Sequence, residues 1–172
     1  LKRPGAAVIS PDGAKIAYTV AETNWDDNAN ETEIFLIDAR GGEPVQLTRS
    51  RKSSSGPAWS PDARSLAFVS DRTDKRQLYL LNVQGGEPQV LTNVEEGVGS
   101  FEWAPDGKRI ALTMTDTKSD AVKERDKKYG EFDVIDSDYR MTHLYLLDLA
   151  AAVAAPVAKP GRLTSGPFTV GS

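Results

Sequence analysis

The amino-acid sequence predicts an all-β protein made of repeated four-stranded antiparallel units, the blades of an incomplete β-propeller, and three observations carry that prediction. A nine-residue phrase recurs, as "SPDGAKIAY" at 10–18, "SPDARSLAF" at 60–68 and "APDGKRIAL" at 104–112. The copies begin 50 and 44 residues apart, a period that belongs to propellers and solenoids. Around each copy stand four short stretches of β character, and no helical periodicity competes with them.

Each unit opens on a short strand, "AAVIS", "GPAWS" or "SFEWA". The Ser/Ala-Pro-Asp-Gly turn follows. Proline presets φ at the second position of a type I turn, aspartate accepts from nearby backbone N–H groups, and glycine closes the turn. Ala63 stands where the other copies have Gly13 and Gly107, so the fourth position is expected not to require a positive φ. The second strand alternates (Ile16-Ala17-Tyr18, Leu66-Ala67-Phe68, Ile110-Ala111-Leu112), and the third is "IFLID" at 34–38, "LYLLN" at 78–82 and "LYLLD" at 144–148. "GGEP" at 41–44 and 85–88 leads into the fourth strand, "VQLT" at 45–48 and "QVLT" at 89–92, with "GRLT" at 161–164 in the third unit. Pro44 and Pro88 open that last strand, which suits an edge where a missing N–H breaks no ladder bond. The small Ala17, Ala67 and Ala111 suit blades covered on both faces. Trp59 and Trp103 hold equal places in their units and are read as core between blades.

The expected organisation is blade 1 at 6–50, blade 2 at 56–92, blade 3 at 98–164 with a charged insert at 116–140, and the start of a fourth blade at 165–172. The insert carries fourteen charges, and a connection of that length is functional or loosely ordered. Its centre, "DAVKERDKK", suits a helical turn or two. Strands that run up and down put the "SPDG" and "GGEP" turns on one face of the molecule. The insert, the loop at 22–31 and the blade links at 49–56 and 93–99 share the other, where binding is expected. Blades pack sidewall to sidewall, so the outer faces of the first and third units want cover. At ~400 Å² each and ~25 cal/mol per Å², the pair is worth about 20 kcal/mol, more than a typical domain's stability. The expected partners are therefore the remainder of a larger propeller, or another copy of the chain closing a six-bladed ring.

Composition narrows the function. The formal charge is −4 and no basic stripe is present, which argues against nucleic acid. No apolar run approaches the length that spans a bilayer, and "LKRPGAAVIS" lacks a signal-peptide core; since the chain starts at Leu1, residues upstream are expected to have been removed. The absence of cysteine excludes disulfides and thiolate chemistry and leaves cytoplasm and periplasm open, the cytoplasm marginally ahead.

No catalytic residue is assigned. The single histidine, His143, occupies the place of Glu33 and Gln77 in the other units and reads as a polar strand-edge residue, and no Gly-x-Ser-x-Gly elbow occurs. Substrate-binding residues stay unknown. Metal and cofactor are both expected to be none: "DDNAN" at 26–30 touches a calcium-loop pattern, but Glu31 and Ile37 stand where glycine and glutamate belong. "NET" at 30–32 is a glycosylation sequon, with meaning only in a eukaryotic secretory setting. The carboxylates of the insert, Glu124, Asp126, Glu131, Asp133, Asp136 and Asp138, read as a solvated loop, the other reading being a site for a cationic group such as a peptide amino terminus.

The motifs "SPDG", "LYLLD" and "GGEPVQLT" resemble the repeats shared by the Tol-system propeller and the N-terminal propeller of the prolyl oligopeptidase family of serine peptidases. The start "LKRPGAAVISPDGAKIAYTV", the stretch "VIDSDYRMTHLYLLDL" and "RLTSGPFTVGS" are similar to the acylaminoacyl-peptidase and dipeptidyl-peptidase branch. The resemblance covers nearly the whole chain but only the first few blades of that family's propeller. It implies a propeller that gates short peptides toward a C-terminal α/β-hydrolase domain whose serine, aspartate and histidine have no counterpart in these residues. The other resemblance implies a non-enzymatic scaffold for protein partners.

Overall fold

The computed structural model describes residues 2–24, 29–50, 52–73, 75–131, 134, 139–155 and 159–171. They form three four-stranded antiparallel sheets, each with its strands in sequence order. The first holds β1 (Lys2–Ile9), β2 (Lys15–Asn24), β3 (Ala29–Asp38) and β4 (Val45–Gln46). The second holds β5 (Ser54–Trp59), β6 (Ser65–Ser70), β7 (Gln77–Asn82) and β8 (Gln89–Val90). The third holds β9 (Phe101–Trp103), β10 (Arg109–Thr115), β11 (Thr142–Asp148) and β12 (Gly161–Arg162), with helix α1 (Asp120–Tyr129) between β10 and β11 and α2 (Leu149–Ala154) between β11 and β12.

Register decides which side chains share a sheet face. Ala17 pairs with Leu36, Leu66 with Leu81 and Trp59, and Ile110 with Leu147 and Trp103. The Ala17, Ile34 and Leu36 face of sheet 1 packs on the Trp59, Leu66, Phe68, Tyr79 and Leu81 face of sheet 2. The opposite face of sheet 2, with Ala67, Val69 and Leu78, packs on Ile110, Leu112 and Leu147 of sheet 3. At both joints a buried alanine, Ala17 or Ala67, stands among larger apolar residues of the facing sheet, which lets closely packed layers interdigitate. In sheet 2 the stacked Phe68–Tyr79 pair is buried under Ile34. The corresponding Tyr18–Phe35 stack of sheet 1 lies on its outer side and stays partly exposed.

The turn phrase builds the same small motif in successive blades. Ser10 N–H donates to Lys15 O, Gly13 N–H returns to Ser10 O, and Asp12 Oδ1 accepts from Ser10 Oγ at 2.6 Å and from Ala14 N at 3.0 Å. Ser60, Asp62 and Arg64 repeat it with 2.6 and 3.1 Å bonds. The fourth residue is left-handed in every copy, with φ of 71° at Gly13, 60° at Ala63 and 67° at Gly107. This corrects the expectation drawn from Ala63: the turn demands a positive φ, and alanine there accepts the steric cost.

Two further departures have local causes. The fourth strands make ladders of only two residues each, because a threonine side chain takes over from the backbone, as described below. The run "LAAAVA" is α2, capped by Asp148 accepting from Ala151 N–H. Alanine-rich sequence favours helix, but six residues are too few to show a period. The helix in the insert is ten residues long, longer than a turn or two. Residues 165–171 form no strand; Val170 N–H donates to Thr142 O at the rim of sheet 3.

Candidate functional site

A recurring side-chain lock sits on each third strand, at the start of β7 and β11 and midway along the longer β3, on the face that carries the blade links. Thr48, Thr92 and Thr164 Oγ1 accept from the main-chain N–H of Ile34, Leu78 and Leu144, at 2.8, 2.9 and 3.0 Å. The Thr48 and Thr92 hydroxyls donate in turn to Glu33 Oε2 and Gln77 Oε1. Those side chains also take a link N–H, from Ser50 and Val94 respectively, so β3 and β7 are each tied to the link leaving their blade. In sheet 3 the partner of Thr164 is His143 Nδ1, 3.3 Å away.

His143 is 1% exposed, which buried imidazole tolerates only when satisfied. Thr164 Oγ1 thus takes the Leu144 N–H and shares a second hydrogen bond with Nδ1, whose direction follows the imidazole tautomer. The other ring nitrogen, Nε2, faces Asp116 Oδ2 at 3.4 Å, while Asp116 Oδ1 lies 3.2 Å from Arg162 Nη1. The sequence reading of His143 as a polar strand-edge residue is thus half right: it sits at the strand's start, but inside the molecule.

Asp116 and Arg162 belong to a cleft of about 440 Å³ on the link face, between sheets 2 and 3. Val94, Met114 and Tyr145 give it apolar wall; Glu95, Glu96 and Lys159 give it polar rim. The antiparallel order of the strands brings the link at 93–97 and the insert to this one face, as the sequence expected. Lys123 of α1 pairs with Glu95 at 2.6 Å, and Arg140 with Glu96 at 2.8 Å. The hydrogen bond to Glu95 holds the Lys123 ammonium above its ordinary pKa range.

The insert's acidic residues divide. Asp126 is bonded to Lys118 at 2.8 Å and to Arg125 at 2.9 Å, and Glu131 also pairs with Lys118. Hydrogen bonds from Lys118 and then Arg125 push the Asp126 carboxyl below its usual range, and the bond to Lys118 does the same to Glu131. Bonds to Asp126 and then Glu131 raise Lys118 well above the usual lysine range. Glu124 is exposed on α1, while Asp133, Asp136 and Asp138 lie outside the described residues, as do 26–28 of the calcium-like loop. Asn30 Oδ1 accepts from Thr23 Oγ1. Among the described residues no three His, Cys, Asp or Glu side chains group as metal ligands. The structure thus brings His143, Asp116 and Arg162 together with the Glu95–Glu96 rim; the "LT" repeats opposite Glu33, Gln77 and His143 were the overlooked signal.

The profile of PD40, the TolB beta propeller domain, matches residues 3–142. The chain is 38% identical over 63 residues, 37% of its length, to the uncharacterized peptidase YuxL of Bacillus subtilis, and 31% identical over 71 residues, 41% of its length, to dipeptidyl-peptidase 5 of Porphyromonas gingivalis. Each matched stretch is 10% of the relative's own length. An acylaminoacyl peptidase of Pyrococcus horikoshii superposes with a TM-score of 0.69 at 16% identity, over 88% of this chain and 24% of that one; at that identity the likeness is one of fold.

Proposed function

Because this chain belongs to the PD40 family of TolB-type β-propeller domains, we propose that it is N-terminal propeller of a serine peptidase acting on short peptides, gating and supporting a C-terminal α/β-hydrolase domain. The observation that carries the reading is the pair of sequence relatives, both named as peptidases, that match this segment at 38% and 31% identity. The geometry agrees with a larger assembly. The Tyr18–Phe35 stack of sheet 1 is only partly covered, whereas the corresponding Phe68–Tyr79 stack of sheet 2 is buried, so the outer face of sheet 1 suits a further sheet of the same kind. A second copy of the chain is the other candidate for that cover.

The chemistry would come from the hydrolase domain, since acyl transfer by serine needs a nucleophile, base and carboxylate in mutual reach. His143 serves no such role: its ring is buried and committed to Thr164 and Asp116. In the peptidase reading the residues here restrict access and hold the hydrolase in place. A fluorophosphonate probe and dipeptidyl or acyl-peptide chromogenic substrates test this on the complete polypeptide that contains the segment. Labelling and turnover there, with none from the 172-residue chain, are the expected results. No labelling of the complete polypeptide would favour the non-enzymatic, TolB-like scaffold, and turnover by this chain alone would overturn the placement of the chemistry.

A further inference from the structure

Charged side chains on the link face are matched at one joint and unmatched at the next. Between sheets 2 and 3, Lys123 meets Glu95, Arg140 meets Glu96 and Arg162 meets Asp116. At the top of sheet 2 the cations have no such partners. Lys52 of the blade link, and Arg72, Lys75 and Arg76 of the loop joining β6 to β7, make no ion pair among the described residues. Asp71 does not neutralise them: it too makes no ion pair, and its Oδ1 is buried without a hydrogen-bond partner. Glu131 feels the charge of Lys75 but is held by Lys118. Arg51 and Asp74 lie outside the described residues.

The ladder gathers these cations. Ser54 faces Ser70, Ser70 faces Gln77, and the Asp71 N–H carries the first pairing one rung further, to Ser53 O at 3.3 Å. One step beyond, Lys52 stands on one side of Arg72 and Lys75 on the other. Neighbouring strands are about 4.8 Å apart, so like charges crowd one rung, an arrangement that destabilises a sheet and that an anion would relieve. Arg72 is the best organised of them. Its guanidinium lies 5.6 Å from the Phe68 ring centroid and 5.5 Å from that of Tyr79, a contact that uses its flat face and none of its N–H groups. Its Nε is buried without an acceptor, and a buried donor left in that state is costly. Glu22 and Asp116 hold the equivalent places in the other two units, so the cation is no part of what the repeat needs in order to fold.

We propose that Lys52, Arg72, Lys75 and Arg76 form a docking surface for an extended acidic polypeptide segment, anchored by Arg72. Lys52, Lys75 and Arg76 are exposed, and the last two border a cleft of about 460 Å³ that gives such a segment room. Carboxylates on alternate residues of an extended chain stand about 7 Å apart, which lets one segment reach two neighbouring cations at once, and a braced guanidinium takes a carboxylate with defined geometry. Polypeptide fits this surface better than nucleic acid does. Glu95, Glu96 and Asp116 share the link face and would repel a phosphate chain that ran past the cluster, and the whole chain carries a formal charge of −4. The inference stands on these charges and does not rest on the peptidase reading; docking is measured without turnover, so either can fail alone.

Fluorescence anisotropy of a labelled, end-capped octapeptide of alternating Glu and Ser reads the docking on the 172-residue chain. Saturable binding is expected at about 0.05 M NaCl, weakening about tenfold by about 0.3 M as the screening length shortens, and the same peptide with Gln for Glu should not bind. Arg72→Gln should weaken binding about five- to tenfold. Lys52→Gln combined with Lys75→Gln should do much the same while leaving the contact of Arg72 with Phe68 and Tyr79 in place, so the test survives if Arg72→Gln fails to fold. Lys108→Gln removes an exposed cation from the opposite, turn-bearing face and should change nothing. Absence of saturable binding at low salt overturns the proposal, as does a loss from Lys108→Gln equal to that from the double lysine variant. An oligothymidylate of equal charge that binds more tightly than the acidic peptide overturns the choice of polypeptide as the partner.

Discussion

The indole Nε1 of Trp103 donates to the main-chain carbonyl of Ala58 at 3.2 Å, across the joint between sheets 2 and 3. Trp59 does the same to Val8 across the joint between sheets 1 and 2, at 3.1 Å. One residue type at one repeat position thus both fills the layer between neighbouring sheets and pins the inner strand of one blade to that of the next.

Removing only the donor separates the two roles. Trp59→Phe keeps a ring against Ala17, Leu36 and Leu66 but removes the indole donor to the Val8 carbonyl, and is expected to cost about 1 kcal/mol. Trp59→Ala also opens a cavity at a residue that is 8% exposed, and is expected to cost about 3–5 kcal/mol. Urea unfolding curves read both; equal losses would mean the bond contributes nothing separable from packing.

Ala63 sits at φ 60° in a turn whose other copies use glycine. Ala63→Gly should raise stability by about 0.5–1 kcal/mol, and Gly13→Ala should lower it by a similar amount, because only glycine is at ease there. Space is not the issue at Gly13, where an added Cβ would meet nothing within 4 Å. Thermal melts of the two variants should therefore move in opposite directions.

The lock beneath the links makes His143 and Gln77 equivalent. His143→Gln should be tolerated, its carbonyl oxygen accepting from Thr164 as Gln77 accepts from Thr92. His143→Leu takes that partner from the half-buried Thr164 hydroxyl and from Asp116, which keeps Arg162, and should cost about 1 kcal/mol. Comparable losses for both would refute the equivalence.

Acid should weaken the turns. Asp12 and Asp62 are held below the ordinary value of 3.8 by bonds from Ser10 and Ser60 and then by backbone N–H groups, and Asp106 by the Lys108 N–H first. A carboxyl with a lowered folded-state pKa adds stability that is complete above the unfolded value and lost as pH falls through the folded one. The urea midpoint should therefore hold above pH 5 and decline as pH falls below about 4. A chain with Asp12, Asp62 and Asp106 all changed to Asn should show a shallower decline, though a lower plateau.

Much of this was legible in the sequence because propeller blades repeat. "SPDG", the middle alanines and the paired tryptophans each recur at one place per unit, so their roles as turn, close contact and joint could be read by comparison. Ala63 misled because a residue tolerated at a strained φ looks, in sequence, like evidence that no strain exists. α2 was missed because "LAAAVA" replaces the "GGEP" turn in the one unit where the repeat breaks. The His143–Asp116–Arg162 cluster was also hidden. Its members lie at the end of β10 and the starts of β11 and β12, and only the antiparallel ladder brings them together. The Lys123–Glu95 contact joins an insert to a link and had no second copy to reveal it.

The account rests on consecutive sheets stacked face to face through these joints, and hydrogen exchange of the indole N–H groups tests it most directly. Trp59 and Trp103, assigned by substitution to Phe, should exchange slowly and be released together with the amides of β6 and β10 as denaturant rises. If both indoles exchange as fast as free tryptophan while those strand amides remain protected, the sheets are not joined in this way.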